Sequence, residues 1–535
     1  MRASFFDARR LIEYLSSVQG EQRQKLVEEL GFHATLIFVQ SDLVALLFLV
    51  SVTMQNVQIA IIGSGFGGIG AAIRLKQEGF EDFMIFERAD EVGGVWRDNT
   101  YPGCACDVQS HLYSLSFVPN PDWTHSFSPQ AEIWDYLRKC ARDYKLLPHV
   151  RFGHMVTEAV WENDQQRWRI ETSKGTFMAS LLISAAGSFS EPKLPQFRGL
   201  ETFKGKMFHS SRWDHQFEIK RSRIAVIGTG ASAIQFVPAI QPQVEKLYLF
   251  QRTPPWIVRR HDRPFAQLER KLFRRFPVVQ LLMRAGIYSF REVLGFAFRH
   301  PWAMKLLQPL ARRHLKRSVA DPVLRAKLTP NYLMGCKRIL ISNDYLPALT
   351  QPNVELITDG IAEVRQHSVV GNDGVERAVD AIIFGTGFHV SDFPFAGRVR
   401  GRAGRTLSEV WAGSPKALAG TTVAGFPNLF LIPGPNTGLG HSSVVYMLEA
   451  QIEHVLTALV YMRRNGVAAI EPRSEAQEAY VARVDKSMRG TVWTSGGCLS
   501  WYLDTTGRNS TLWPTPSWRF RRRVARFAPR EYVME

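Results

Sequence analysis

Residues 57–68 read VQIAIIGSGFGG, and the chain continues as IGAAIRLKQEG through residue 79. The apolar, β-branched run at 57–62 predicts a strand, and the stretch behind the glycines predicts a helix. Between them Gly63, Ser64, Gly65, Gly67 and Gly68 make a tight turn that lets backbone approach a ligand closely. A helix N-terminus behind such a turn offers unpaired N–H groups and the positive end of a dipole, which together hold a pyrophosphate. The pattern G-x-G-x-x-G is weak evidence alone. Here 83–86 (FMIF) reads as a second strand and ends in Glu87. A carboxylate at that place accepts hydrogen bonds from an adenosine ribose and repels a 2′-phosphate, so this turn suits FAD or NAD rather than NADP.

A second turn of the same kind follows. Residues 223–227 (RIAVI) predict a strand leading into Gly228, Thr229, Gly230, Ala231, Ser232 and Ala233, a G-x-G-x-x-A pattern. Its partner strand at 247–250 is followed by Arg252 and Thr253. The spacing is the same in both units: 24 residues from Gly63 to Glu87 (87 − 63) and 24 from Gly228 to Arg252 (252 − 228). A guanidinium in place of the carboxylate pairs a 2′-phosphate in a forked geometry, so this turn is expected to take NADP(H). The plain alternative is that Arg252 is a solvated surface charge. Two such units define an α/β fold with two Rossmann-like dinucleotide-binding domains.

The 535 residues leave room for two or three domains. A hydrophobic fraction of 45% and a charged fraction of 21% are those of a soluble globular protein. The net charge of +17 is not ordinary. A basic surface serves nucleic acid, an anionic membrane or an anionic cofactor. No zinc-finger, helix-turn-helix or RNA-binding signature is present, so nucleic acid is the weakest of the three. Five cysteines, an odd number, argue for a reducing cytoplasmic compartment and against a disulfide framework. Cys104 and Cys106 form C-x-C, neither a redox pair nor a zinc knuckle, and no metal site is expected.

Between the two turns lies FKGKMFHSSRWD, residues 203–214, with Phe203, Gly205, His209, Trp213 and Asp214 at fixed offsets. Taken alone it is a linker with an aromatic anchor at each end. Before it runs Gly93-Gly94-Val95-Trp96, then Tyr101-Pro102-Gly103 and Asp107; after it runs GCKRILISNDY, residues 335–345. These stretches resemble the motifs F-x-G-x-x-x-H-x-x-x-W-D, G-G-x-W-x-x-x-x-Y-P-G-x-x-x-D and K-R-x-x-x-x-x-x-Y of the flavin-dependent Baeyer–Villiger monooxygenases. With the two glycine turns, the resemblance rests on five ordered motifs and covers residues 54 to about 530.

The resemblance implies an enzyme that reduces FAD with NADPH, adds O2 at flavin C4a and uses the resulting peroxide to turn a ketone into an ester or lactone. It implies that Arg338 is the catalytic cation and that Asp107 positions and tunes it. Trp96, Asp107, Tyr113 and Val156 fall in the FAD site, Lys337 in the cofactor-binding set, and Trp501 in a mobile substrate and nicotinamide loop. The same oxidant, protonated, oxygenates sulfur or nitrogen, with a sulfide or amine as substrate. Flavin enzymes of that type usually carry a smaller pattern without the Trp213-Asp214 ending. A non-catalytic nucleotide-binding protein is the reading from a different class, and intact Arg338 and Asp107 argue against it.

Residues 54–200 and 386–535 are expected to form a discontinuous FAD-binding domain, and 201–385 the NADP-binding domain. A helical insertion at about 255–330 interrupts the latter with strongly basic stretches such as KLFRRF and ARRHLKRS. Its aromatics and methionines are expected to face the core, and its expected role is to cover the active site; contact with a membrane surface is the second reading. Residues 1–53 match no part of the pattern, and the apolar stretch at 34–54 is too broken to span a bilayer. They are expected to be upstream sequence from a misassigned start codon, with a weak membrane-associating helix as the other reading. No motif speaks to oligomeric state.

Overall fold

The glycine turns organise two sheets in the computed structural model, which describes residues 55–535. The first unit consists of β1 (Gln55–Ile62), α1 (Phe66–Gln77) and β2 (Phe83–Glu87). β1 and β2 pair in parallel, from Ile59 opposite Phe83 to Ile62 opposite Phe86. β2 is buried along its whole length, as a parallel strand covered on both faces must be. The sheet around this pair has eight strands. Val150–Phe152 extends it beyond β2, and the antiparallel run Gly175–Ser184, Arg167–Thr172 and Val156–Glu162 extends it beyond β1. Two late strands complete it: Leu429–Leu431 runs parallel to Gly175–Ser184, and Val399–Arg400 parallel to Val156–Glu162.

The second unit is β3 (Arg223–Ile227), α2 (Ala233–Ile240) and β4 (Lys246–Phe250). β3 is the centre of a five-stranded, all-parallel sheet. β4 and Val354–Ile357 lie on one side; Ala381–Phe384 and Lys206–His209 lie on the other. The stretch 203–214 is thus more than a linker, because Lys206–His209 forms the edge strand of this sheet. Phe203 is buried in the core beneath the sheet, and Trp213 packs across Phe208 and Phe236 at ring distances of 5.2 and 5.3 Å. The aromatic anchors hold the edge strand at both of its ends.

The insertion contains α3 (Gln267–Arg275), α4 (Pro277–Arg299) and α5 (Pro301–Ser318), followed by the short helix Pro322–Lys327. The expectation that its aromatics face the core holds for Phe273 and Phe298 but fails for Phe276, Phe290, Phe296 and Trp302, which are exposed. The reason lies in α4, which turns polar side chains inward. Gln280 donates to the Asn120 carbonyl at 2.6 Å, and Arg284 donates to the carbonyls of His111 and Ser114 at 2.8 and 2.9 Å. Arg291 completes the stripe by donating to Gln109 Oε1 at 2.6 Å. Residues at i, i+4 and i+11 share one helix face, so the apolar residues between them are left pointing outward. Residues 1–54, on which the start-codon reading falls, lie outside the described residues.

Three buried histidines give the fold a defined acid limit. Burial pushes His111, His209 and His454 down from the ordinary 6.5 to about 4. The unfolded chain takes up a proton at each as pH falls through about 6.5, while the folded protein resists until about 4. Stability is therefore fully present above 6.5 and declines toward pH 4, by up to about 3 kcal/mol per histidine. In denaturant titrations at pH 7 and pH 5, His454→Gln should lose less stability than the unmutated protein across that interval. An equal loss in both would remove His454 from this account.

Candidate active site

Gly63 closes β1 at φ +95°, and a Cβ there would stand 2.7 Å from the Ala185 carbonyl oxygen, so only glycine fits. Gly65 precedes α1, and Gly67 and Gly68 lie in its first turn. No side chain among the described residues caps this helix, which leaves its first N–H groups for a phosphate. Glu87, at the end of β2, receives Ser64 Oγ at 2.6 Å, Ser64 N at 3.1 Å, Ala89 N at 3.0 Å and Arg97 at 3.1 Å. Burial disfavours its charge, but Arg97 and these bonds outweigh burial and hold the carboxyl below the usual range. Val156 opens the strand Val156–Glu162, three places from β1 in the same sheet, and is buried. The turn, the uncapped helix and the ionised Glu87 together suit the pyrophosphate and ribose of a dinucleotide such as FAD.

Gly228 repeats the first turn at φ +105°, packed against the Gly385 carbonyl. Thr229 Oγ1 donates to the Thr253 carbonyl at 3.4 Å, which ties the turn to the segment after β4. Gly230 and Ala231 are exposed, and Ser232 leads into α2. Arg252 is exposed here, and no carboxylate among the described residues pairs with it. Lys337 comes from 85 residues further along the chain (337 − 252), yet the Arg252 charge reaches it. Burial and the Arg252 charge together push the Lys337 ammonium down. Two cations whose charges act on each other, one of them directly after β4, suit a dianion such as a 2′-phosphate.

Asp107 and Arg338 meet between the two turns. Arg338 donates through Nε to Asp107 Oδ2 at 2.6 Å and through Nη2 to Oδ1 at 2.8 Å, a forked pair. Their side chains keep 27% and 25% of their surface accessible, so the pair faces open space rather than closed core. Burial disfavours both charges; each partner's charge more than offsets this, lowering Asp107 and raising Arg338. Both stay ionised throughout the working range. The loop that carries Asp107 is pinned to α2, since Tyr101 donates to Gln235 Oε1 at 3.0 Å and Gln235 donates to the Ala105 carbonyl at 2.9 Å. Nearby, Trp96 Nε1 donates to the Tyr113 hydroxyl at 3.1 Å, with Phe66 against the Tyr113 ring at 5.2 Å.

The remaining residues of the 203–214 stretch pack on and around the edge strand of the second sheet. His209 is buried and neutral, with Nδ1 within 2.8 Å of the Ser211 hydroxyl and its ring against Phe388. Gly205 lies where the chain passes Asp380, and Asp214 accepts from the Gln216 N–H at 2.9 Å. None of the five touches Asp107 or Arg338 through a hydrogen bond or ion pair among the described residues.

Three features escaped the sequence reading. Arg291 of α4 donates to the Asp107 carbonyl at 3.3 Å and so places a second guanidinium beside the pair. Tyr502 is buried with its hydroxyl next to Arg338, and burial pushes it up to about 12, so it keeps its proton. Its neighbour Trp501 is exposed and packs on the Tyr502 ring at 4.3 Å and on Phe189 at 5.8 Å. Cys336 and Cys498 form a disulfide, Cα–Cα 6.1 Å, which corrects the expectation of free thiols only. The odd cysteine count hid one pair among three buried free thiols, and the bond ties the Arg338 segment to the loop of Trp501 and Tyr502. Burial raises the thiols of Cys104 and Cys106 far out of the reactive range.

Two dinucleotide turns flanking a forked carboxylate–guanidinium pair are the layout of a flavin- and nicotinamide-dependent oxidoreductase. Residues 56–399 match the flavin-binding monooxygenase-like family, and the chain belongs to that family. It is 50% identical over 483 residues to a Baeyer–Villiger monooxygenase of Streptomyces coelicolor, covering 89% of this chain and 92% of that one. It is 51% identical over 482 residues to a Baeyer–Villiger monooxygenase of Pseudomonas aeruginosa, covering 89% and 91%. Among solved structures, cyclohexanone monooxygenase from Rhodococcus sp. Phi1 bound to NADP+ superposes with a TM-score of 0.79 at 28% identity, over 90% of this chain and 99% of that one.

Proposed function

We infer that this chain is an FAD- and NADPH-dependent Baeyer–Villiger monooxygenase, inserting one atom of O2 beside the carbonyl of a ketone to give an ester or lactone. The observation that carries this reading is the Asp107–Arg338 pair, ionised and facing open space between the two nucleotide turns. Residues 54–200 with 386–535 would hold FAD, with the Gly63–Gly68 turn on its pyrophosphate and Glu87 on its ribose. Residues 201–385 would hold NADPH, with Arg252 and Lys337 on its 2′-phosphate. Bound FAD supplies the redox chemistry, accepting hydride from NADPH and activating O2. Arg338 places a permanent cation where negative charge builds on oxygen, and Asp107 keeps its fork aimed there. Arg291 fixes the Asp107 backbone, and Tyr502 offers a proton-bearing hydroxyl beside the cation. Bound NADP+ and closure of the loops around the pair would exclude water, which protects a reactive oxidant from loss as hydrogen peroxide.

The test is a panel of linear ketones, cyclic ketones, sulfides and amines, incubated with FAD-loaded protein, NADPH and air, with products identified by mass. Ester or lactone formation is expected. Sulfoxide or N-oxide from the panel, with no ester from any ketone, would replace this reading with sulfur or nitrogen oxygenation. Asp107→Asn probes the pair itself. The amide keeps one acceptor oxygen and loses the charge, so half of the fork on Arg338 goes. Ketone oxygenation should fall about tenfold or more, the usual worth of a hydrogen bond to a charged group, while FAD content stays unchanged. Unchanged turnover would mean that other contacts position Arg338.

A further inference from the structure

We propose that the helical insertion is a docking surface for bilayers rich in anionic phospholipid, with a headgroup site at Arg299, Arg489 and Arg519. α4 is built the reverse of a soluble surface helix. Its polar stripe, Gln280, Arg284 and Arg291, faces the protein. Val278, Leu282, Val293 and Phe296 fall within a single arc of about 60° on the opposite side, at 100° per residue. They face solvent, Leu282 at 66% and Val293 at 72% exposure. α5 continues the face with Trp302, Leu306 and Leu310 at i, i+4 and i+8, Leu306 being 71% exposed. The two stripes meet at the helix junction, where the Phe296 ring lies 4.2 Å from His300 and 5.9 Å from Trp302. α3 adds Leu268 and Leu272 one turn apart. Monomeric soluble proteins rarely leave so continuous an apolar surface open.

Charge names the occupant. Residues 267–327 contain 14 Lys and Arg against 3 Asp and Glu, so +11 of the chain's +17 sits in this insertion. A second copy of the chain would bring the same positive face to this one and be repelled. An anionic bilayer is attracted, and apolar side chains flanked by basic ones are what interfacial helices present to it. No helix among the described residues is long and apolar enough to cross a membrane, so the insertion would lie on the surface. At the rim of the apolar face, a cleft of about 420 Å³ is lined by Arg299, His300, Arg489, Thr491 and Arg519. No carboxylate among the described residues lies within ion-pair distance of any of the three arginines. His300 belongs to both the cleft and the ring cluster, so a phosphate held there would leave its acyl chains over the apolar stripe.

The experiment is vesicle co-sedimentation of full-length, FAD-loaded protein at low salt. The vesicles are phosphatidylcholine alone or phosphatidylcholine mixed equally with phosphatidylglycerol. Binding to the anionic vesicles only is expected. Leu282→Asp/Val293→Asp/Leu306→Asp and, separately, Arg299→Glu/Arg489→Glu/Arg519→Glu should each weaken it at least ~tenfold. Both should keep wild-type FAD absorbance and NADPH oxidation, and Leu282→Asp alone serves if the triple variant misfolds. Wild-type protein that stays in the supernatant would overturn the proposal. So would vesicle binding that neither variant weakens, which places the contact elsewhere in the chain. Loss in the arginine variant alone would reduce the site to free-anion binding. A concentration-dependent dimer abolished by Leu282→Asp would give the face to a second copy.

Discussion

Arg338→Ala should purify with FAD bound and be reduced by NADPH at the wild-type rate, yet form ester or lactone at least ~100-fold more slowly, the usual cost of removing one preorganised charge stabiliser. FAD retention follows from the proposed FAD site, since Gly63, Gly65, Gly67, Gly68 and Glu87 belong to other segments. Hydride transfer places no new anion beside Arg338, so reduction is spared. Oxygen transfer does, and without the guanidinium Arg291 remains beside Asp107 but is already committed to Gln109 and the backbone at Asp107. The NADPH consumed should reappear as hydrogen peroxide, which a coupled peroxidase assay measures against product. A variant with wild-type ester yield would show that the catalytic cation lies elsewhere.

Arg252→Ala should raise KM for NADPH at least ~tenfold and leave KM for NADH nearly unchanged, because a charge-assisted bond of this type contributes about 1.5–3 kcal/mol. The structure sharpens this beyond a single residue. Lys337 is a second cation whose charge acts on Arg252, and it remains when Arg252 is removed. Lys337 then carries part of the phosphate contact, and Arg252→Ala/Lys337→Ala should discriminate less between the two coenzymes than either single variant. Equal losses for NADPH and NADH in Arg252→Ala would make it a general surface charge.

The parts legible in the sequence are those where covalent spacing dictates geometry. Glu87 and Arg252 follow their glycine turns at a fixed offset because strand, turn, helix and strand leave little freedom between them. Asp107 and Arg338 sit 231 residues apart (338 − 107) and no local rule joins them, so only the resemblance of their flanking motifs singled them out. Arg291 was illegible for the same reason, and it comes from an insertion the motifs do not cover. A weak signal was present in the polar residues Gln280, Arg284 and Arg291, which recur on one face of an otherwise apolar segment. Cys336 and Cys498 are 162 residues apart, and a cysteine count says nothing about proximity. The expectation that the aromatics and methionines of the insertion face inward rests on the rule that helices bury their apolar side. α4 breaks that rule because its buried side is anchored by guanidinium and amide groups.

That two-sided helix also restricts how the gene can change length. Gln280 and Arg284 anchor the first half of α4, and Arg291 and Glu292 the second, with Glu292 accepting from the Ser517 hydroxyl at 2.6 Å. Adding or dropping one residue between Arg284 and Arg291 turns one half against the other by about 100°. Either Arg291 swings off Gln109 and the Asp107 backbone, or Gln280 and Arg284 lose their carbonyls. Substitutions on the outer face leave both sets of anchors intact. The fold therefore locks the residue count of α4 and leaves the composition of its outer face to the bilayer contact proposed for it, and length polymorphism should collect before Gln267 or after Ser318 rather than inside α4.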